Sequence, residues 1–399
     1  TTVFSMGMIC LMLFVTICVL STGISLKNAT TANLKELSPT DIYVEKTWNL
    51  KGNKANGKPY SQKDIADSHL SVSETLVNLD FSIHENLKDV ITVNVYATND
   101  LTFGDTLGSY ATSVHSQMPY LRLNAAEKIM RLSEYNQVAK RYGKQTYQLQ
   151  DNEYIVIANF GGMIEIRNEA LKRGTQIELL GKMYLPAHKE CQDGFLTPSA
   201  NQSNSGIIVV PDQAINENYK EKNVLIADYK ATDEVEKQKI EEKVQSLAQH
   251  PYAKGLTQLN ASTKISIYEG SVGVGTMVTF IGIYIGVIFL ISSAAILALK
   301  ELSESADNKE RYMMLRKIGT DERMLNKALF TQISLFFIAP LILAVIHSIF
   351  GIEFCKFFLQ SFGEENLLPS IMMTTVFIVI IYGGYMLLTY LTSRQMMKE

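Results

Sequence analysis

Cysteine is scarce in this chain: there are four in 399 residues, and only Cys191 lies between positions 25 and 269. That stretch therefore has no internal disulfide and must be held together by its core. Cys10 and Cys18, eight residues apart in an apolar run, read as small packing residues. Basic excess is also lacking. Thirty-seven Lys and Arg against 40 Asp and Glu give a net charge of -3, which excludes the basic patch that nucleic-acid binding needs. Catalytic motifs are missing as well: there is no Gly-x-Ser-x-Gly, no His-Glu-x-x-His and no evident acid/base pair. Gly52 to Lys58 spells most of a phosphate-binding loop. Pro59 stands where a Ser or Thr would hold magnesium, and no buried strand precedes the string, so it reads as a polar loop. His188, Glu190, Cys191 and Asp193 make half a metal site with no second cluster to complete it. The sequence thus assigns no catalytic residue, no metal ligand and no cofactor. It reads as a non-enzyme whose energy for work comes from a partner.

Charge is absent from four long stretches, and a bilayer-spanning helix needs about 20 apolar residues. They run from Val3 to Ile24, Gly270 to Leu299, Ala328 to Ile352 and Pro369 to Leu391. Four such runs exclude a soluble protein. The first has no Met at position 1 and no basic residues before it, so it reads as a real span with further sequence upstream, not as a signal peptide. Lys and Arg mark the cytoplasmic loops. Lys300, Lys309, Arg311, Arg316, Lys317, Arg323 and Lys327 lie between the second and third spans, and Arg394 and Lys398 follow the fourth. The 353–368 loop holds only Lys356 against three glutamates.

The expected organisation is an α-helical membrane protein with four transmembrane helices and a large mixed α/β extracytoplasmic domain inserted between the first and second spans. The divisions are 1–26, a span; 27–269, the outer domain; and 270–306, a span with a cytoplasmic extension. A coupling segment at 307–327 follows, then a span at 328–352, an outer loop at 353–368, and at 369–399 a span with a short cytoplasmic tail. β-Branched and aromatic runs predict strands at 41–48, 91–97, 154–159, 176–180, 206–210 and 223–227. Apolar spacing predicts helices at 62–78, 125–141, 163–173 and 233–249, with Gly143, Gly174 and Gly255 just past three of them.

The segment after the second span is dense in signals. Good helix formers continue that span to Ala306. Asp307 is placed as an N-cap with Glu310 completing a capping box, a short helix runs from Lys309 to Ile318, Gly319 ends it, and Thr320 caps the next helix. At 100° per residue, Met314, Leu315, Ile318 and Arg311 fall toward the membrane, while Lys309, Glu310, Arg316 and Lys317 face away with Met313 among them. In the second span, Gly275, Gly282 and Gly286 lie near one stripe, and Gly282 with Gly286 forms a small-xxx-small pair for close packing. Pro340 is expected to kink the third span, and His347 to bond locally.

Residues 308–319 resemble the signature of the FtsX-like permease family, whose basic, apolar-alternating segment ending in Gly links the second and third spans of a four-span module. Residues 292–311 and 337–351 resemble more closely the bacitracin-resistance (Bce-type) permeases of Gram-positive bacteria. The resemblance implies a type VII, mechanotransmission ABC transporter permease in the bacterial plasma membrane, with the large domain outside and the C-terminus cytoplasmic. It implies a cytosolic ABC ATPase dimer as partner, and Asp307, Glu310, Arg311, Met313, Arg316, Lys317 and Gly319 as the ATPase-coupling residues. It also implies that the outer domain engages a peptide antibiotic or a lipid-linked cell-wall precursor, that a membrane histidine kinase receives the signal, and that this chain corresponds to the C-terminal half. The function expected is antimicrobial-peptide resistance and sensing. The alternatives are a macrolide- or lipoprotein-export permease, or a scaffold that activates cell-wall hydrolases.

Overall fold

A computed structural model describes residues 2–48, 59–249, 259–359 and 367–397. In chain order the helices are α1 (Thr2–Leu37), α2 (Gln62–Ser68), α3 (Val72–Asn78), α4 (Ile83–Asn86), α5 (Phe103–Leu107), α6 (Ala111–Gln117), α7 (Leu132–Arg141), α8 (Gly161–Lys172) and α9 (Glu234–Gln249). α10 (Lys264–Asp307), α11 (Lys309–Lys317), α12 (Glu322–Leu359) and α13 (Leu368–Met396) follow. The strands are β1 (Ile42–Thr47), β2 (Leu87–Tyr96), β3 (Ile129–Arg131), β4 (Glu153–Ile157), β5 (Ile177–Leu179), β6 (Lys182–Pro186), β7 (Ile207–Val210), β8 (Lys220–Tyr229) and β9 (Leu259–Thr263). The chain divides into two compact units, one of residues 1–31 and 272–399, the other of residues 32–271.

The second unit is built on a mixed nine-stranded sheet in the order β5-β6-β4-β7-β3-β2-β8-β1-β9. β3 with β7 and β4 with β6 are parallel, and the other pairs are antiparallel. Strands buried on both faces lose the alternation of apolar and polar residues, and β7, with all four residues buried, sits inside the sheet between β4 and β3. The six expected strands are present. The expected helix at 125–141 is half wrong: 129–131 is β3, and the helix starts only at Leu132. Ile129 and Met130 are both fully buried because β3 pairs with β7 and β2, so tertiary pairing overrides a helical spacing. The expected helix at 62–78 is two helices, each opened by its own capping box, Ser61 with Asp64 and Ser71 with Glu74. Gly143 and Gly174 take the positive φ of helix C-caps. Gly255 and the Gly52–Lys58 string lie outside the described residues.

In the first unit, four helices among the described residues are long and apolar enough to cross a membrane: Met6–Leu37, Thr279–Asp307, Glu322–Lys356 and Leu368–Met396. Within the unit, Thr279 of α10 meets the Gly23 carbonyl of α1 and Thr16 of α1 meets the Gly286 carbonyl, so α1 and α10 run antiparallel, and Ser305 of α10 meets Ser393 of α13. Pro340 lies inside α12, and the His347 Nδ1 bonds the Leu343 carbonyl one turn back at 2.7 Å, the local bond expected of it.

Candidate coupling site

Where α10 ends, the chain makes a short helix and two turns before re-entering the bundle. α10 runs through Asp307, so Asp307 is helical and not a cap. The N-cap of α11 is Asn308, in right-handed helical geometry with no side-chain capping bond, and the expected Asp307–Glu310 capping box does not form. The two helices are nearly continuous at this point, which leaves no extended residue for a cap. The C-terminus of α11 follows the expectation. Gly319 has φ +91, the Thr320 amide donates to the Leu315 carbonyl and the Gly319 amide to Arg316, a Schellman motif. α12 starts at Glu322, which puts Asp321, not Thr320, at its cap position.

Two side chains one helical turn apart hold α11 to the unit. Tyr312, half-buried, packs against the apolar core of the bundle, and burial pushes its phenol pKa up. Arg316 forks onto Glu322, with Nε to Oε1 at 2.5 Å and Nη2 to Oε2 at 3.4 Å, and donates through Nη1 to the Met397 carbonyl. One guanidinium thus joins α11, α12 and the end of α13. Below it Ser305 and Ser393 share a buried 3.0 Å hydrogen bond, the Lys300 ammonium lies 5.2 Å from the Phe336 ring, and Glu301 is fully buried. The sequence places Arg316 on an open charged face; the structure turns it inward.

Everything else on α11 except Lys309 points out. Glu310, Arg311, Met313, Met314, Leu315 and Lys317 are exposed, as is Ile318 after it. Met314 stands in the middle of that arc and Met313 at its edge. The result is an outward face of four apolar side chains rimmed by charge, on a helix pinned from behind.

The packing glycines divide. A Cβ on Gly282 would meet Val19 at 3.6 Å, an ordinary contact, but one on Gly286 would lie 2.6 Å from Leu20 Cγ. Gly275 lies in the same helix. Sequence reasoning misses Gly351 of α12, where a Cβ would lie 2.5 Å from the Cys18 sulfur and 2.8 Å from Phe14. The signal for it was a small-residue stripe of Ala344, Ser348 and Gly351.

In the other unit, the half metal site comes apart. Asp193 pairs with Lys144 at 2.8 Å, His188 meets the edge of Tyr147, and the Cys191 amide donates to Asn168. Among the described residues no group of three or more His, Cys, Asp or Glu is arranged to hold a metal.

No family model matches the chain. It is 23% identical over 291 residues, 71% of its length, to the uncharacterized ABC transporter permease YvcS of Bacillus subtilis (strain 168), covering 43% of that protein. It is 32% identical over 123 residues, 31% of this chain and 18% of the relative, to the bacitracin export permease protein BceB of the same organism. BceB of Halalkalibacterium halodurans is 32% identical over 120 residues, 30% of this chain and 18% of that protein. The aligned segments span less than half the length of each of these relatives. These relatives bear out the resemblance to ABC transporter permeases of the bacitracin type, to which this membrane chain is similar.

Proposed function

We propose that this chain is the membrane-embedded permease part of an ABC transporter, that a separate cytosolic ATPase dimer drives it, and that it confers resistance to, and sensing of, a peptide antibiotic of the bacitracin kind. The observation that carries this reading is α11, a helix fixed by Tyr312 and Arg316 whose Met313, Met314, Leu315 and Ile318 are left uncovered by the rest of the chain. An isolated apolar patch of this kind is expensive unless a partner covers it. Methionines in a charged rim suit an adaptable protein interface. The basic residues gathered at this end of the helices favour the cytoplasm for it. The sheet unit, between the first and second spans, is then outside, where it meets the peptide or its lipid-linked cell-wall target, and a membrane histidine kinase reads the result. Of the expected coupling residues, Glu310, Arg311, Met313 and Lys317 form the docking rim, with Met314 added at its centre. Arg316, Gly319 and Asp307 shape and position the helix.

The test replaces Met314 and Met313 by Asp, one at a time, in the full-length permease. Membrane insertion and expression stay normal, because neither side chain packs inward. ATPase capture weakens about tenfold or more, as for an interface anchor, with Met314→Asp the more severe, and peptide resistance falls with it. Normal ATPase capture by both variants sinks this docking face.

A further inference from the structure

At the margin of the sheet unit where the chain leaves β9 for α10, a buried acid ties three elements together. Glu241 of α9 is 4% exposed. Its Oε2 accepts the Tyr229 hydroxyl of β8 at 2.5 Å; its Oε1 accepts the Thr263 hydroxyl of β9 at 2.5 Å and the Gln245 amide at 3.0 Å. All three donors are neutral. Burying a carboxylate without a cation is costly, so a hydrophobic residue would serve mere packing better. Thr263 is no ordinary strand residue. Its hydroxyl accepts the Ser266 amide at 3.1 Å, and its own amide donates to the Ser266 hydroxyl at 3.1 Å, a capping-box arrangement at the first turn of α10. The same hydroxyl therefore caps α10 and reaches Glu241. Next to it the Lys264 amide donates to the Asp41 carbonyl at 2.9 Å, and Asp41 Oδ2 accepts the Tyr229 amide at 3.1 Å.

We propose that Glu241 is a clamp that makes α9 and the first turn of α10 one mechanical element, so that whatever displaces α9 displaces the root of α10. The remaining faces of α9 fit this role. Ile240, Val244 and Leu247 are buried beneath it, while Glu242 and Lys243 are open to a binding partner. On the permease reading above, on which this sense of the clamp rests, α10 carries the displacement onward to α11.

Hydrogen exchange on the full-length chain in detergent tests the clamp directly. In Glu241→Ala, amides of 264–268 and of 240–248 exchange about tenfold faster together, the scale of one lost buried hydrogen-bond partner, while β4 and β7 are unchanged. Glu241→Gln, which keeps an acceptor for Tyr229 and a donor for Thr263, stays near the parent, and so does the exposed control Glu242→Ala. If Glu241→Ala fails to fold, Tyr229→Phe removes one bond alone and is read the same way. Unchanged exchange at 264–268, or loosening of α9 alone, overturns the clamp. Failure of the parent chain to bind any ATPase sinks the permease reading and leaves the exchange result standing.

Discussion

Single residues in the sheet unit show what a buried charge needs. Arg167 and Glu127 are both 4% exposed and 40 positions apart. The guanidinium makes two bonds to the carboxylate, at 2.9 and 3.0 Å, and Nε donates to the Ser205 carbonyl at 2.6 Å. Removing one member leaves the other charged and dry, so Glu127→Ala costs about 3–5 kcal/mol. Lys237→Ala, at the exposed pair with Glu234, leaves the midpoint close to the parent's. Denaturant midpoints of the two variants check the contrast. Lys46 is a different case. It is fully buried and gives its three protons to the Asp67 and Leu70 carbonyls and the Thr75 hydroxyl, with no carboxylate in the set. Burial lowers its pKa from 10.5 to about 8, and Asp67 and Glu74 offset only part of that. Between those two values the unfolded chain holds a proton that the folded chain has released, so stability rises with pH across that window. Lys46→Met removes that rise, which is measured by comparing denaturant midpoints at pH 8 and pH 10. Neither site is legible in the sequence, because each joins residues that only the fold brings together.

At the scale of elements, legibility follows the strength of the local signal. An apolar run of 20 or more residues has one reading, and all four spans are found as helices, though α1 continues well past Ile24 to Leu37. Interior strands announce themselves by β-branched runs, Ile155 to Ile157 in β4 and all four residues of β7. β3 does not, because three residues can be claimed by the helix that follows them. The turn around Gly319 is readable from its glycine. The cap at Asp307 is misread because a Ser/Thr/Asp/Asn residue before a Glu is also compatible with unbroken helix. Helix packing in the first unit yields a graded prediction. Gly282→Ala keeps normal yields of folded protein, because its Cβ enters ordinary contact. Gly286→Ala and Gly351→Ala lower the yield, because Leu20 in one case, and Cys18 with Phe14 in the other, must move. Size-exclusion profiles of the three variants in detergent rank them.

For the whole molecule, class is legible while recognition is not. Segregated charge fixes a membrane protein, and the basic loop favours one orientation, but no local pattern in the sheet unit names a ligand. Its contacts come from strands paired out of chain order, such as β2 with β8 and β1 with β9. The orientation itself is open to a chemical test through Cys191. Its thiol packs against the core near Tyr154, and burial pushes its pKa up to about 11, so little reactive thiolate exists at neutral pH. In a variant with Cys10, Cys18 and Cys355 replaced by Ala, a membrane-impermeant maleimide added to intact cells labels Cys191 slowly. Mild urea, which opens the sheet unit without lysing the cell, speeds labelling about tenfold or more, as local opening exposes an ordinary thiol. Labelling that needs lysis, at any urea concentration tolerated by the cells, places the sheet unit in the cytoplasm. The basic segment around α11 would then face outward, against the positive-inside rule, and the ATPase could not reach it.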